Sequence, residues 1–415
     1  MKKIISIIGL GYVGLPLAVA LSKKNNVIGF DVKKTRIQEL KAFKDNTLEV
    51  SSHTLKASKS LTFSSSPSKI EGSDIFIATV PTPISSNNQP DLKLLKLACK
   101  TIGSSMKKGS IVVFESTVYP GCTEEVCIPI LEKSSKLKFN KDFYVGYSPE
   151  RINPGDKNHS IGDIVKIVSA SNQASLDVLH KIYSDIIPAG LHVASSIKVA
   201  EAAKIIENTQ RDINIALMNE FSLILKKLNI ESKEVIEAAG SKWNFHQYHP
   251  GLVGGHCIGV DPYYLTYQAK KLGVNPRVIL SGRRVNDSMH KEIANFFLDH
   301  ISNNAKKVLI LGATFKENCP DIRNSKIENF IIEMNQNKIT PHLHDPFIDR
   351  RPDFKGDFKF ISKWSSSKYD GIFLAVPHQK FTKLKVSTLI NALKTDGIIF
   401  DFKSVLPRHK KILRW

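Results

Sequence analysis

Ile4-Ile5-Ser6-Ile7-Ile8-Gly9-Leu10-Gly11-Tyr12-Val13-Gly14 opens the chain, and a second apolar run, Val27-Ile28-Gly29-Phe30, ends on Asp31. The first five residues are β-branched or small and read as a strand. The stretch from Gly14 to about Lys24 reads as a helix. Strand, glycine turn, helix, strand and acid follow one another at the spacing of a mononucleotide-binding unit. There the three glycines give a tight turn, a close backbone approach to a diphosphate, and close helix–strand contact. The diphosphate would sit on free N–H groups at the helix start. Asp31 would accept from both ribose hydroxyls, which favours NAD over NADP, whose 2′-phosphate it would repel. Gly9, Gly11, Gly14 and Asp31 are therefore expected to bind NAD.

Working outward, Met1-Lys2-Lys3 and the apolar run over residues 4–21 imitate a signal peptide or membrane span. Gly9, Gly11, Gly14 and Pro16 interrupt that run, and it passes directly into a second strand. It reads as internal structure, so no targeting segment or membrane insertion is expected, and the location is expected to be cytoplasmic. A length of 415 residues predicts two or three domains. Five cysteines with no CxxC pair argue against a disulfide framework or zinc site and for a reducing compartment. The net charge of +20 raises the possibility of nucleic-acid binding. The excess is scattered lysine without a basic stripe or interleaved aromatics, which fits an anionic small substrate better.

Further along, residues 35–68 read as helix plus loop. Residues 74–80, 110–115 and 143–147 read as buried strands. Ligands of open parallel sheets gather at strand C-termini, which makes Thr82, Thr117 and Glu150 candidates for the cofactor crevice. Residues 196–228 carry strong helical periodicity and would extend about 50 Å at 1.5 Å per residue. On that helix Lys204, Asn208 and Asp212 recur at four-residue spacing, along one side. From residue 306 a second nucleotide-type pattern starts, with strands at 306–311 and 339–344 and a helix at 325–335. Ser73-Asp74-Ile75-Phe76-Ile77-Ala78-Thr79-Val80-Pro81 is echoed by Tyr369-Asp370-Gly371-Ile372-Phe373-Leu374-Ala375-Val376-Pro377. The second half lacks GxGxxG and should bind something other than NAD. The fold expected is α/β: two Rossmann-like doubly wound domains (residues 1–195 and 304–415) joined by a long central helix and a helical middle domain (196–303).

The middle part holds Gly254-Gly255-His256-Cys257-Ile258-Gly259-Val260-Asp261-Pro262-Tyr263-Tyr264. Cys257 offers a sulfur nucleophile beside two glycines, and Asp261 an acceptor one turn on if the segment is helical. By itself this is a buried cysteine in a glycine turn; the surrounding motifs reverse that balance.

Taken together, residues 9–14, 80–83, 116–121, 149–151, 203–211, 254–261 and 312–323 resemble the nucleotide-sugar 6-dehydrogenases, the UDP-glucose/UDP-N-acetylhexosamine dehydrogenase family, over nearly the whole chain. The spelling from Trp243 to Tyr264 looks closest to the branch acting on UDP-N-acetylglucosamine or its galactosamine epimer, which serves capsule and O-antigen polysaccharides. The resemblance implies a homodimer that uses NAD and binds a UDP-sugar. Cys257 would be the nucleophile, Lys204 the proton donor and acceptor, and Asn208 an oxyanion partner. Asp261 would orient water, with Glu150 and Thr117 near the water or cofactor. Tyr12, Val13, Asp31, Arg36, Thr82 and Thr117 match NAD contacts, as does Arg323, across a dimer. Arg151, Ile152, Arg211, Gly254, Phe315 and Lys316 match sugar-nucleotide contacts. The UDP-glucose branch has a lysine where Val260 stands, which tilts the substrate away from UDP-glucose. His246, Tyr248 and His249 are not assigned a role.

The chemistry accounts for the thiol. Taking a primary alcohol to a carboxylate passes through an aldehyde, whose carbon must become tetrahedral before a second oxidation. Thiolate addition gives a thiohemiacetal, oxidation gives a thioester, and water releases the acid. UDP-N-acetylmannosamine, UDP-N-acetylgalactosamine and UDP-glucose are alternative substrates. A one-step alcohol dehydrogenase of the 6-phosphogluconate type, which needs no thiol, and an NAD-binding regulatory or nucleic-acid module are the competing classes.

Overall fold

The computed structural model describes residues 3–150, 161–302, 304–364 and 368–415. The chain divides into two compact units. One comprises Met1–Glu207 with Tyr263–Asn275, the other Asn208–Pro262 with Pro276–Trp415. The long helix Ile197–Lys227 contributes residues to both.

In the first unit the strands are β1 (Ile4–Ile8), β2 (Asn26–Phe30), β3 (Leu61–Ser64), β4 (Ile75–Ala78), β5 (Ile111–Phe114), β6 (Tyr144–Tyr147), β7 (Lys166–Ala170) and β8 (Leu191–Val193). They form one sheet in the order β3-β2-β1-β4-β5-β6-β7-β8. All neighbouring pairs are parallel except β6 with β7. Strands covered on both faces read as continuous apolar runs. Ile75-Phe76-Ile77-Ala78 and Ile111-Val112-Val113-Phe114 are buried throughout. The chain order reverses direction between β1 and β4, the switch point at which such sheets hold ligands.

The second unit repeats the plan. Strands β9 (Val308–Leu311), β10 (His342–His344), β11 (Lys359–Phe360), β12 (Tyr369–Leu374), β13 (Leu393–Asp401) and β14 (Ile412–Arg414) lie in the order β11-β10-β9-β12-β13-β14, all parallel. Counted from its own first strand, this is the 3-2-1-4-5-6 order of a dinucleotide-binding sheet. The match extends to single hydrogen bonds. Gly9 N–H donates to Phe30 O, and Gly312 N–H to His344 O, each at 2.8 Å. The two glycines have φ of +100° and +101°, a conformation open to glycine and strained for other residues. The expected repeat is therefore present at the level of fold. An aromatic core of Phe297, Phe330, Phe373 and Phe400 fills one face of this sheet, with Trp415 against its edge.

The structure departs from the sequence reading in two places. Residues 35–68 contain the helices Lys34–Lys41 and Ser52–Ala57 and also strand β3, which was not expected. Strand β3 is an edge strand of Leu-Thr-Phe-Ser whose one buried residue is Leu61, too short and polar to show a period. The cysteine stretch is also not helical. Residues 255–260 are turns, and the helix begins at Asp261. Among the described residues no helix is long and apolar enough to cross a membrane.

Candidate active site

The first unit presents the expected cofactor residues at the C-terminal ends of β1, β2, β4 and β5. Gly14 starts the helix Gly14–Ser22, with Val13 as its cap residue. A Cβ on Gly14 would lie 1.9 Å from Gly9 O, so only glycine lets helix and turn meet. A Cβ on Gly11 would meet nothing within 4 Å. That opening beside a helix N-terminus is the cradle a diphosphate requires. Asp31 accepts the Leu10 N–H on Oδ2 and the Lys33 N–H on Oδ1, both at 2.9 Å, so its carboxylate is fixed at the end of β2. Arg36 donates to Leu10 O at 2.9 Å and pairs with Asp45 at 2.8 Å. It braces the glycine turn from behind, and its cationic head is taken up by Asp45. Tyr12 and Val13 lie on the same turn. These residues fit NAD.

Thr82 and Thr117 are brought together directly. Thr82 Oγ1 donates to Thr117 O at 2.6 Å, and Tyr264 OH donates to Thr82 O at 2.9 Å. Glu150, at the end of β6, is buried beside a cluster the sequence reading missed. Lys166 Nζ lies 3.6 Å from Glu150 Oε2, 3.1 Å from Glu115 Oε2 and 3.2 Å from Pro149 O. Tyr183 donates to Glu115 at 2.5 Å. Burial pushes the Glu115 carboxyl up to about 7, with the Lys166 cation opposing. Glu201, on the long helix, accepts the Gly121 and Thr123 N–H groups at 2.5 and 2.9 Å and so pins the loop that follows Thr117. Burial raises its carboxyl to about 7 as well. Lys204, one turn further along the helix, is buried. Arg151 and Ile152 lie outside the described residues.

The second unit holds Asn208, Cys257 and Asp261. Asp261 donates its N–H to Cys257 O at 2.8 Å, and its carboxylate accepts from Asn208 Nδ2 at 2.5 Å. Carboxylate and carboxamide thus fix each other, and both are buried. Cys257 is the one partly exposed thiol, since Cys99, Cys122, Cys127 and Cys319 are buried. Asp212 does not join this group. Arg283 donates to its Oδ1 at 2.5 Å, and Asn286 donates to the same oxygen at 2.8 Å. Burial raises the Asp212 carboxyl despite the Arg283 charge. It is a buried anchor, although its four-residue spacing resembles that of Lys204 and Asn208.

Asn219 continues this anchor. Its side chain donates to Gly251 O at 3.0 Å and accepts from Gly251 N–H at 2.8 Å, clamping the strand of chain that leads to Gly254 and Cys257. Asn219 also donates to Asn286 at 2.8 Å. A single asparagine within a helical period carries no sequence signal of such a clamp.

Gly254, Phe315 and Lys316 line one cavity of about 100 Å³, together with Lys326, Phe402 and Lys403. Three ammonium groups and two aromatic rings suit an anionic ligand bearing a planar ring. Burial pushes the Lys403 ammonium down from the ordinary lysine range, with Glu317 pulling the other way. A Cβ on Gly254 would come within 2.7 Å of Asn324 O, so the wall is closed to larger residues there. The Arg323 guanidinium, expected to reach NAD, is held by Asp321 through contacts of 2.9, 3.1 and 2.5 Å. Arg211 lies on the long helix, one residue before the buried Asp212.

Comparison with known proteins follows this division of labour. Models of the UDP-glucose/GDP-mannose dehydrogenase family match three successive segments: the NAD binding domain at residues 3–187, the central domain at 198–288 and the UDP binding domain at 309–408. UDP-N-acetyl-D-glucosamine 6-dehydrogenase of Salmonella typhi is 49% identical over 99% of this chain and 98% of its own. The enzyme of the same name from Pseudomonas aeruginosa is 46% identical over 99% of each. Protein CapL of Staphylococcus aureus is 47% identical over 98% of this chain and 97% of its own. Among solved structures, the UDP-D-ManNAc dehydrogenase of Pyrococcus horikoshii is similar with a TM-score of 0.87 at 27% identity, covering 99% of this chain and 98% of that one.

Proposed function

Since the chain belongs to the UDP-glucose/GDP-mannose dehydrogenase family, we propose that it oxidises the sixth carbon of UDP-N-acetylglucosamine to the uronate in two NAD-dependent steps. The observation that carries the choice of sugar is near-half identity, over the full length, to two UDP-N-acetyl-D-glucosamine 6-dehydrogenases. Val260, where the UDP-glucose branch has lysine, supports an acetamido sugar. NAD, when bound, accepts the two electrons and the hydrogen removed from carbon in each oxidation. Gly9, Gly11, Gly14 and Asp31 would hold it, with Tyr12, Val13, Thr82 and Thr117 lining it.

The remaining roles belong to the chain's own side chains. The lysines around Phe315 and Lys316 bind the diphosphate and keep the sugar nucleotide anchored between the two oxidations. Lys204 takes the proton of the C6 hydroxyl on its neutral amine, and the ammonium so formed later neutralises the oxyanion. Cys257 adds its sulfur to the aldehyde carbon and carries the acyl group as a thioester. Asp261, fixed by Asn208, orients the water that releases the product, with Glu150 assisting. The working division is residues 1–195 for the cofactor, 196–303 for chemistry and assembly, and 304–415 for the nucleotide. We further propose a cytoplasmic homodimer serving surface polysaccharide synthesis, in line with the relationship to CapL.

The test is NADH formation with UDP-N-acetylglucosamine, UDP-N-acetylgalactosamine, UDP-N-acetylmannosamine and UDP-glucose in parallel. The expected result is the highest kcat/KM for the first sugar and two NADH per sugar consumed. One NADH per sugar would replace this mechanism with the one-step class.

A further inference from the structure

His256 directly precedes Cys257 in the chain. Its Nδ1 lies 3.1 Å from Cys257 Sγ. On the other side of the ring, Nε2 lies 3.6 Å from Asp321 Oδ2. Asp321 is buried, and the Arg323 N–H and guanidinium both bond to it. Phe315 packs edge-on to the imidazole with ring centroids 5.9 Å apart. Thiol, imidazole and carboxylate therefore stand in sequence, with the carboxylate immobilised and the ring orientation limited by an aromatic wall. A carboxylate on the Nε2 side favours the proton there and leaves the Nδ1 lone pair facing sulfur.

We propose that His256 is a catalytic base for Cys257 and that Asp321 is the positioning residue that orients it. The inference rests on the reading of Cys257 as the nucleophile. In the addition step the Sγ–H proton moves to His256 Nδ1, the sulfur electron pair forms the C–S bond, and the carbonyl π pair moves to oxygen. Once oxidation has given the thioester, Nδ1 releases that proton to solvent; in the hydrolysis step a water proton then moves to the freed Nδ1 as the water oxygen bonds to the thioester carbon. Collapse of the tetrahedral adduct breaks the C–S bond, the electron pair returns to sulfur, and Nδ1 returns its proton to the thiolate. Both steps balance with water as the added reactant. Charged groups near the pair include Asp321 and Arg323 on the segment after β9, and Asp261, whose N–H bonds to Cys257 O and whose carboxylate is engaged by Asn208.

The test uses the full-length enzyme and iodoacetamide. With the other four cysteines buried, mass spectrometry of the peptide carrying residue 257 reports its alkylation rate between pH 5.5 and 9. In the native enzyme the alkylation profile should rise below the ordinary thiol range. In His256→Gln it should move to that range, near pH 8.5, with the rate at pH 7 falling about tenfold. In Asp321→Asn an intermediate shift is expected. In His256→Gln kcat should fall while the KM for NAD stays within twofold. UDP affinity reports that each variant is folded, and should His256→Gln fail to bind UDP, Asp321→Asn decides. Alkylation profiles that superimpose on the native one overturn the role of His256. A fully alkylated Cys257 enzyme that still forms two NADH per sugar overturns the reading of Cys257 itself, so the two failures are distinct.

Discussion

Gly11 and Gly14 sit three residues apart on one turn, yet replacement by alanine should affect them through different links of the argument. At Gly14 the new methyl would lie 1.9 Å from Gly9 O and 2.5 Å from Thr79 Oγ1, where ordinary contact starts at 3.4 Å. The obstructing atom is backbone, tied down by Thr79 Oγ1 at 2.7 Å, so no side-chain rotation relieves it. Overpacking of this kind costs about 1–3 kcal/mol, and the thermal midpoint should fall. At Gly11 nothing lies within 4 Å of the new methyl, so folding should be unchanged. The same methyl would occupy the space into which the diphosphate must come. A loss of about 1.4 kcal/mol there raises the NAD dissociation constant tenfold. Calorimetric titration with NAD, with UDP as the control ligand, separates the cases. Gly11→Ala should lose NAD affinity at native stability, Gly14→Ala should lose both, and both should keep UDP. The reasoning is refuted if Gly11→Ala binds NAD like the native enzyme.

Other expectations follow from the same geometry. Cys257→Ser should lower kcat by about 10⁶-fold, as removal of a covalent nucleophile does elsewhere, while calorimetry shows UDP binding unchanged. Asn219→Ala removes three buried hydrogen bonds and leaves both Gly251 groups unpaired. At about 1 kcal/mol each the variant should unfold at lower urea and show a raised KM for the sugar nucleotide, with NAD affinity retained. The Glu201 carboxyl is raised in the folded state, from 4.5 to about 7. Its protonated form is therefore favoured by folding. The associated stability is complete below pH 4.5 and is lost as pH rises through 7, amounting to about 3 kcal/mol. Glu201→Gln should flatten that part of the melting-temperature profile between pH 4.5 and 8, and a slope identical to the native one would count against burial as its cause.

The legible parts of the sequence were those in which one residue type serves one purpose. Gly9 and Gly14 announced a turn that no other residue permits, Gly11 marked the open side a diphosphate needs, and Asp31 ended a run of apolar residues where a strand C-terminus had to be. The long helix was readable from its period and came out as Ile197–Lys227. Strand β3 was not readable, because an edge strand buries little and Leu61-Thr62-Phe63-Ser64 has no period to detect. The second unit's strands were found through their resemblance to the first, although its ligand-facing residues diverge. In the site, Cys257, Asp261 and Asn208 could be singled out by chemistry. The anchors Asn219, Arg283 and Asn286 and the Lys166–Glu115 pair could not, since each depends on a partner many residues away. Asp212 shows the opposite failure: its spacing matched that of Lys204 and Asn208, and Arg283 turned it into buried framework.

The likeness of the two sheets raises a question of misloading. Asp345 ends β10 as Asp31 ends β2, and its Oδ2 accepts the Ala313 N–H at 2.7 Å as Asp31 accepts from Leu10. In the second sheet, however, His378 Nε2 also reaches that oxygen, at 3.0 Å. The Asn318 N–H bonds to His378 Nδ1 at 2.9 Å, so the ring proton sits on Nε2 and points at the carboxylate. Both side chains are fully buried. The acceptor that a ribose would need is blocked by a plug made from the chain itself. The second sheet of this topology is thereby closed to the cofactor, and saturation should come at one NAD per chain.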